Sequence, residues 1–408
     1  MIEKENNIYF VENIIPHYEE NVKEAYKFTV VLLNASEKYN LLNIENDYDF
    51  LLFETTKDRI ENTSEGNYVK FLSNELTNAN NTPIARRNLI YNNFYRGRLL
   101  KNQKEHVSDF GFKRNIEIFS YHINVGHGNC SLIVVKNKTT VKIWMIDCSD
   151  FDYKNRKYYN CNINTCLNYI SQKFRLKRLQ IDKFFLTHPH FDHYSGIERL
   201  INLGIINNHT EFYLNLHYCM PSKIYNHLLR NINILKPTII EPISTFSTNN
   251  IEIWHPHFTT IRTFTSKYAT CNYQVEQRPN NSSVVYCLNF GEKSILFPGD
   301  LETEKWDTIT HCPPNLKACD YFVISHHGSL NGHIRNHCPV KRSISNLSHC
   351  VKQDSTQILM GRDGAYQGIY SKQVLNDFNN IVYSEKDPNS IGCQYIEIDW
   401  QTNQTTWR

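Results

Sequence analysis

The 408-residue chain has no apolar run long enough to cross a membrane: its longest stretches, such as Val30 to Leu33, fall far short of the roughly 20 residues a bilayer demands. Its first residues, Met1-Ile-Glu-Lys-Glu-Asn-Asn, lack the basic-then-apolar pattern of a secretory leader. There are twelve cysteines, but no Cys-x-x-Cys pair. With no export signal, a reduced cytoplasmic setting is expected rather than a disulfide framework. Cys287 and Cys319 sit in apolar stretches, where a thiol acts as a small hydrophobe. An excess of charge is missing too. A net +3 makes no polycation, so binding to nucleic acid cannot be argued from the total. Neither an internal repeat nor a proline-rich linker divides the chain.

What is present suits a packed enzyme. With 40% hydrophobic residues, 408 positions can hold one large domain and a smaller one. An N-terminal extension is expected over residues 1–115 and a catalytic domain over 116–408. In the extension, Glu20 to Tyr39 reads as helix and Asp47 to Glu54 as strand, with an Asn-rich break at Asn78 to Asn81. It carries no chemical motif, which leaves a small α+β unit packed on the catalytic domain or a surface for a protein partner. Arg86, Arg87, Arg96, Arg98, Lys101 and Lys104 interleave with Tyr91, Phe94 and Tyr95. Such a mixture can track a phosphate backbone and stack bases, or form a solvated helix face. Lys173, Arg175, Lys177 and Arg178 read as an exposed helix end.

The densest chemistry lies in Leu186-Thr-His188-Pro-His190-Phe-Asp192-His193-Tyr-Ser195-Gly196. Three imidazoles and a carboxylate within six positions would each need a polar partner if buried, and one shared cation meets that need. Ile181 to Leu186 reads as a short buried strand and the segment after Ser195 as a helix start, which puts the cluster on a strand-to-helix turn. It is expected at the surface rather than in the core. By spacing, His188 and His190 can face one metal while Asp192 and His193 face a second. Imidazole with carboxylate suits zinc best, with manganese or iron next.

His-x-His-x-Asp-His after an apolar strand resembles the signature of the metallo-β-lactamase-fold hydrolases, and their other motifs follow in order. Val141-Lys-Ile-Trp-Met-Ile-Asp147 resembles the strand whose aspartate orients the metal site without ligating. Ser294-Ile-Leu-Phe-Pro-Gly-Asp300 resembles the strand ending in the aspartate that bridges two metals, and Tyr321-Phe-Val-Ile-Ser-His326-His327-Gly-Ser329 the late histidine motif. Val125-Gly-His127-Gly-Asn-Cys-Ser-Leu-Ile, Asn281-Ser-Ser283 before a strand, and His326-His-Gly-Ser are together similar to the hydrolase domain of competence-type DNA-uptake proteins. The resemblance implies an α/β fold, an αββα sandwich of two mixed sheets with helices outside. It also implies two divalent ions, zinc or alternatively manganese, held by His188, His190, Asp192, His193, Asp300 and the doublet His326–His327. A third histidine for the first metal is not obvious. His217 is the best candidate, and His255 and His257 resemble an ordinary strand-His-Pro turn. His127 stands where relatives often carry glutamine, close to the pocket or in a tight turn.

Two bridged ions would lower the pKa of a shared water and neutralise phosphoryl oxygens as charge grows. Asp192 and Asp300 would orient the nucleophile, and whichever of the doublet is not a ligand would protonate the leaving oxygen, which makes the catalytic set Asp192, Asp300 and His327. Asn281 and Ser283 could hydrogen-bond a phosphate, as could His127, Arg96 and Arg98, or serve as turn and strand-start residues. The reading is a soluble phosphodiester hydrolase, a nuclease on DNA or RNA, compatible with a bacterial antiviral defence module. Alternatives are a small-molecule phosphoesterase acting on a cyclic nucleotide or phosphorylcholine, a lactam hydrolase, or a regulatory subunit that keeps the fold without turnover. The partners implied are nucleic acid and, through the extension, a protein; a membrane is not.

Overall fold

A computed structural model of the chain describes residues 7–17, 26–35, 50–60, 63–72, 75–101, 116–216, 218–242, 246–254, 261–265, 270–274, 278–303, 305–306, 318–333, 350–366 and 368–408. Their centre is a pair of sheets. One has eight strands, in spatial order Thr238–Ile240, Glu211–Tyr213, Lys183–Phe185, Val141–Cys148, Cys130–Lys136, Glu117–Ile123, Tyr395–Asp399 and Gln404–Trp407. The other has seven, in the order Phe246–Ser247, Ile251–Trp254, Val285–Phe290, Lys293–Phe297, Cys319–Val323, Val351–Leu359 and Ile381–Tyr383.

Strand periodicity explains why they stack. Along Val141–Cys148, Trp144 and Ile146 turn to the space between the sheets, where they meet Phe185, Tyr286, Ile295 and Phe297. Ile143 and Met145 turn the other way, into the core that includes Ile163, Cys166, Leu167 and Ile170 of the helix Asn160–Lys173. A strand buried on both faces reads as an unbroken apolar run rather than an alternation. Cys287 and Cys319 are buried in this framework, their Sγ atoms 3.4 Å apart.

Parallel pairing puts the chemistry on one edge. Lys183–Phe185 runs parallel to Val141–Cys148 and Glu211–Tyr213, and Lys293–Phe297 runs parallel to Cys319–Val323. Asp147 lies at the carboxyl end of such a strand and His188, Asp300 and His326 just beyond the ends of others, where α/β sheets place their ligands.

The N-terminal region is a five-stranded antiparallel sheet in the order β3-β2-β1-β4-β5, made of β1 (Ile8–His17), β2 (Lys27–Asn34), β3 (Phe50–Thr56), β4 (Tyr68–Leu72) and β5 (Glu75–Asn78), followed by helix α1 (Pro83–Lys101). β2 corrects the helix expected over Glu20 to Tyr39. Its Thr29, Val30 and Val31 are β-branched and pair on both sides, with β1 and β3. One face of the sheet holds Tyr9, Val11, Val30, Leu32, Val69 and Leu76. The other, with Phe10, Val31, Leu33 and Phe50, joins the core that continues into the sandwich. Tyr68 Oη donates to Pro221 O at 2.7 Å, and Asn92 Nδ2 donates to Met220 O and Asn226 Oδ1 at 2.8 Å each, so β4 and α1 clasp the segment after Glu211–Tyr213. No helix among the described residues is long and apolar enough to cross a membrane.

Candidate metal centre

The site is built outward from Asp147. This buried residue, the last but one of its strand, has a left-handed conformation, φ 51°, and both oxygens are occupied. Oδ1 accepts from Thr187 N at 2.8 Å, while Oδ2 accepts from Thr187 Oγ1 and faces His193 Nδ1, both also at 2.8 Å. Asp147 therefore has both oxygens engaged by protein groups. It fixes the start of the turn, and its bond at Nδ1 leaves His193 Nε2 to face the cavity. Nε2 stands 3.3 Å from Asp300 Oδ1.

Asp192, His193, Asp300 and His327 offer ligand atoms that all lie within 4.8 Å of one another. His327 Nε2 is 3.7 Å from Asp192 Oδ2 and 3.6 Å from Asp300 Oδ2. His188 and His190 form a second pair, Nε2 to Nδ1 at 3.1 Å, with the His188 ring centroid 4.2 Å from that of His193. His326 Nε2 lies 3.8 Å from Asp300 Oδ2 and 3.4 Å from Asn280 Nδ2. Its partner in the doublet is thus the one drawn into the four-residue cluster. Both doublet histidines hold left-handed backbone, φ 50° and 51°, a strained state that persists only where neighbours enforce it.

The donor set fits a divalent cation. His190 Nε2 and His327 Nε2 are buried without a hydrogen bond, at a cost of roughly 1–3 kcal/mol each, while His193 Nε2 and Asp300 Oδ1 face each other at 3.3 Å. A shared cation would satisfy them together. Electrostatics agree. Burial alone would raise the Asp300 carboxyl, yet His193, His327 and His326 hold it well below the usual carboxylate range. Burial alone would lower the His193 imidazole, yet Asp300 and Asp147 hold it well above the ordinary histidine value. His188 and His190 are pushed down by burial, which outweighs the opposing pull of Asp192 and Asp300, His190 to about 4. Ionised Asp300 and neutral His188 and His190 are ligating forms, while His193 would give up its Nε2 proton when a cation binds.

Other sequence candidates separate. His127 comes to the site: Nε2 is 3.5 Å from Asp192 Oδ2 and its ring 4.5 Å from that of His327. Asn281 and Ser283 are buried, but the Asn281 amide donates to Glu302 Oε2 at 3.2 Å, and it is Asn280, passed over in the sequence, that touches His326. Arg96 is a correction. It is fully buried, and its Nε donates to Leu216 O, so it anchors a loop instead of meeting a substrate. Arg98 is exposed but lines a groove with Asn208 and Thr238, at the amino ends of parallel strands, opposite the metal edge. The expected surface turn is also corrected: His188, His190 and His193 are 0% exposed and Asp192 2%. The N-terminal sheet covers them, with the Phe50 ring 4.9 Å from that of Phe191. His217, His255, His257 and Lys104 lie outside the described residues.

Residues 123–211, which carry Asp147 and the His188–His193 turn, match the family model of the metallo-beta-lactamase superfamily. The fold is that of this superfamily. Asp300 and the histidine doublet lie beyond the matched segment. Similar solved structures include CmlA, a diiron beta-hydroxylase from Streptomyces venezuelae, at 12% identity and TM-score 0.34 over 72% of this chain and 55% of that one. Another is the metallo-beta-lactamase fold protein YhfI from Bacillus subtilis, at 11% and 0.35 over 69% and 99%. The short form of human tRNase Z matches at 12% and 0.32 over 59% and 92%. The chain spans about half the length of the beta-hydroxylase. No curated protein matches it.

Proposed function

We propose that the chain is a two-metal phosphodiesterase, both ions being zinc or, as the alternative, manganese, whose substrate class is nucleic acid. The observation that carries this reading is the convergence of Asp192, His193, Asp300 and His327 beside the His188–His190 pair. Bound divalent ions would supply a nucleophile at neutral pH and neutralise charge growing on the phosphoryl oxygens. The remaining work falls to side chains. Asp192 and Asp300 orient the attacking group, with His127 beside Asp192 to hold a non-bridging oxygen. Whichever imidazole of the doublet does not ligate would hand a proton to the leaving oxygen, the role that the sequence gives to His327.

Nucleic acid is favoured by the sequence likeness to the DNA-uptake hydrolase domain and by a groove of about 1220 Å³ where Arg98, Lys101, Arg230 and Lys236 surround Phe94 and Tyr95. Basic and aromatic side chains together suit a single strand. The intervening strands are only three residues long, or roughly 10 Å, so a polymer can reach both edges. A second reading, a small phosphodiester, is favoured by the depth of the metal turn. The test is a reconstituted chain given single- and double-stranded DNA, RNA, a chromogenic diester and a chromogenic lactam. Cleavage of nucleic acid that falls in Arg98→Ala/Lys101→Ala while diester turnover holds supports the first reading. Turnover of the diester with no nucleic-acid cleavage under any metal favours the second, and turnover of the lactam alone overturns both.

A further inference from the structure

β1 carries an acidic residue inside an apolar strand, Phe10-Val11-Glu12-Asn13-Ile14. Pairing with β2 steps from Val11 opposite Leu32 to Asn13 opposite Val31, so Glu12 is the bulged residue. A bulge frees one residue from the ladder and re-aims its side chain. Glu12 is 1% exposed, and its Oε1 accepts from Phe191 N at 2.9 Å, across 179 positions of sequence. Phe191 lies between His190 and Asp192. At the start of the short helix Phe191–Tyr194 its N–H has no intrahelical acceptor, and the preceding His190 provides no side-chain cap. The acceptor comes from another sheet, which also sends Phe50 against the Phe191 ring. This arrangement is costly, because burial pushes the Glu12 carboxyl up to about 8.

We propose that Glu12 is a positioning residue of the metal centre: the bulged strand β1 sets, through the Phe191 N–H, the angle at which His190 and Asp192 are presented. The N-terminal sheet is then coupled to metal binding rather than appended to it, and by linkage a bound metal must in turn order β1. This rests on the metal-centre reading above.

The test uses the full chain in three variants. Glu12→Gln keeps an acceptor, Glu12→Met keeps the volume without one, and Leu76→Ala loosens the far face of the same sheet. Co²⁺ affinity is measured by chelator competition, with the visible spectrum of the bound ion, and melting is followed in parallel. Glu12→Met should weaken Co²⁺ binding by about 10- to 100-fold and alter the spectrum, as loss of a group that orients ligands does, while Glu12→Gln stays within about threefold. Leu76→Ala should lower the melting temperature and leave affinity alone. Hydrogen exchange on the unmodified chain gives a readout that needs no variant: Zn²⁺ should slow exchange in β1 together with residues 186–196. Wild-type affinity in Glu12→Met overturns the proposal, as does equal damage in Glu12→Gln or Leu76→Ala, or protection of the turn without β1. A parent chain that binds neither Co²⁺ nor Zn²⁺ overturns the metal-centre reading itself.

Discussion

His193 is held from both sides, Asp147 at Nδ1 and Asp300 facing Nε2, so its orientation is decided before any ion arrives. Asp147→Asn replaces one of the two acceptor oxygens with a donor, so the side chain can no longer accept from both Thr187 N and His193 Nδ1. Metal affinity, read by titration into the stripped protein, should fall about 10- to 100-fold, and unchanged affinity would mean that Asp147 supports only the strand end. Gly361 offers a steric counterpart. Its φ is +103°, and an added Cβ would sit 2.9 Å from His327 Nδ1. Gly361→Ala must therefore either strain the backbone, at roughly 1–3 kcal/mol, or push His327 out of the cluster. Turnover should drop at least about tenfold, as about 1.4 kcal/mol of lost transition-state stabilisation would give, with the circular dichroism spectrum unchanged; a fully active variant would place His327 outside the chemistry.

Elements show where sequence reasoning holds and where it stops. The turn from His188 to His193 is legible because its ligands are neighbours, and Asp147 and Asp300 because each ends an apolar strand. Contributions from afar were not. Glu12, Phe50 and Asn280 reach the site only through tertiary packing, and nothing local in β1 announces a bulge. The burial of Arg96 is not legible for the same reason, since it is decided by Leu216 and α1 rather than by its neighbours in sequence. Arg96→Ala should cost about 2–4 kcal/mol in denaturant unfolding, because it leaves a buried carbonyl unsatisfied and a void behind, whereas Arg98→Ala should stay within about 0.5 kcal/mol. An equal cost for both would refute the anchoring role. Glu65, whose Oε1 accepts from Ile14 N in β1, is pushed by burial from 4.5 up to about 8. The folded chain keeps a proton that the unfolded chain releases, so this stability is complete below pH 4.5 and is lost as pH rises through about 8. Between pH 5 and pH 9, Glu65→Gln should gain on the order of 3 kcal/mol relative to the parent. Parallel pH profiles for the two proteins would show that Glu65 is ionised in the fold.

For the molecule as a whole, two stacked sheets bring their strand ends to one edge, and a third sheet covers it. The charges gathered there, His193 and His327 against Asp192 and Asp300, lie buried at the junction of these parts. A ligand bound only by the folded state stabilises by about 4 kcal/mol at a thousandfold excess over its Kd, so chelation should lower the melting temperature and Zn²⁺ should restore it. The most direct measurement is elemental analysis of the full chain purified without chelator. The account predicts close to two divalent transition-metal ions per chain, one for the His188–His190 side and one for the Asp192–His193–Asp300–His327 cluster. Less than about half an equivalent, with none regained on reconstitution, would contradict it.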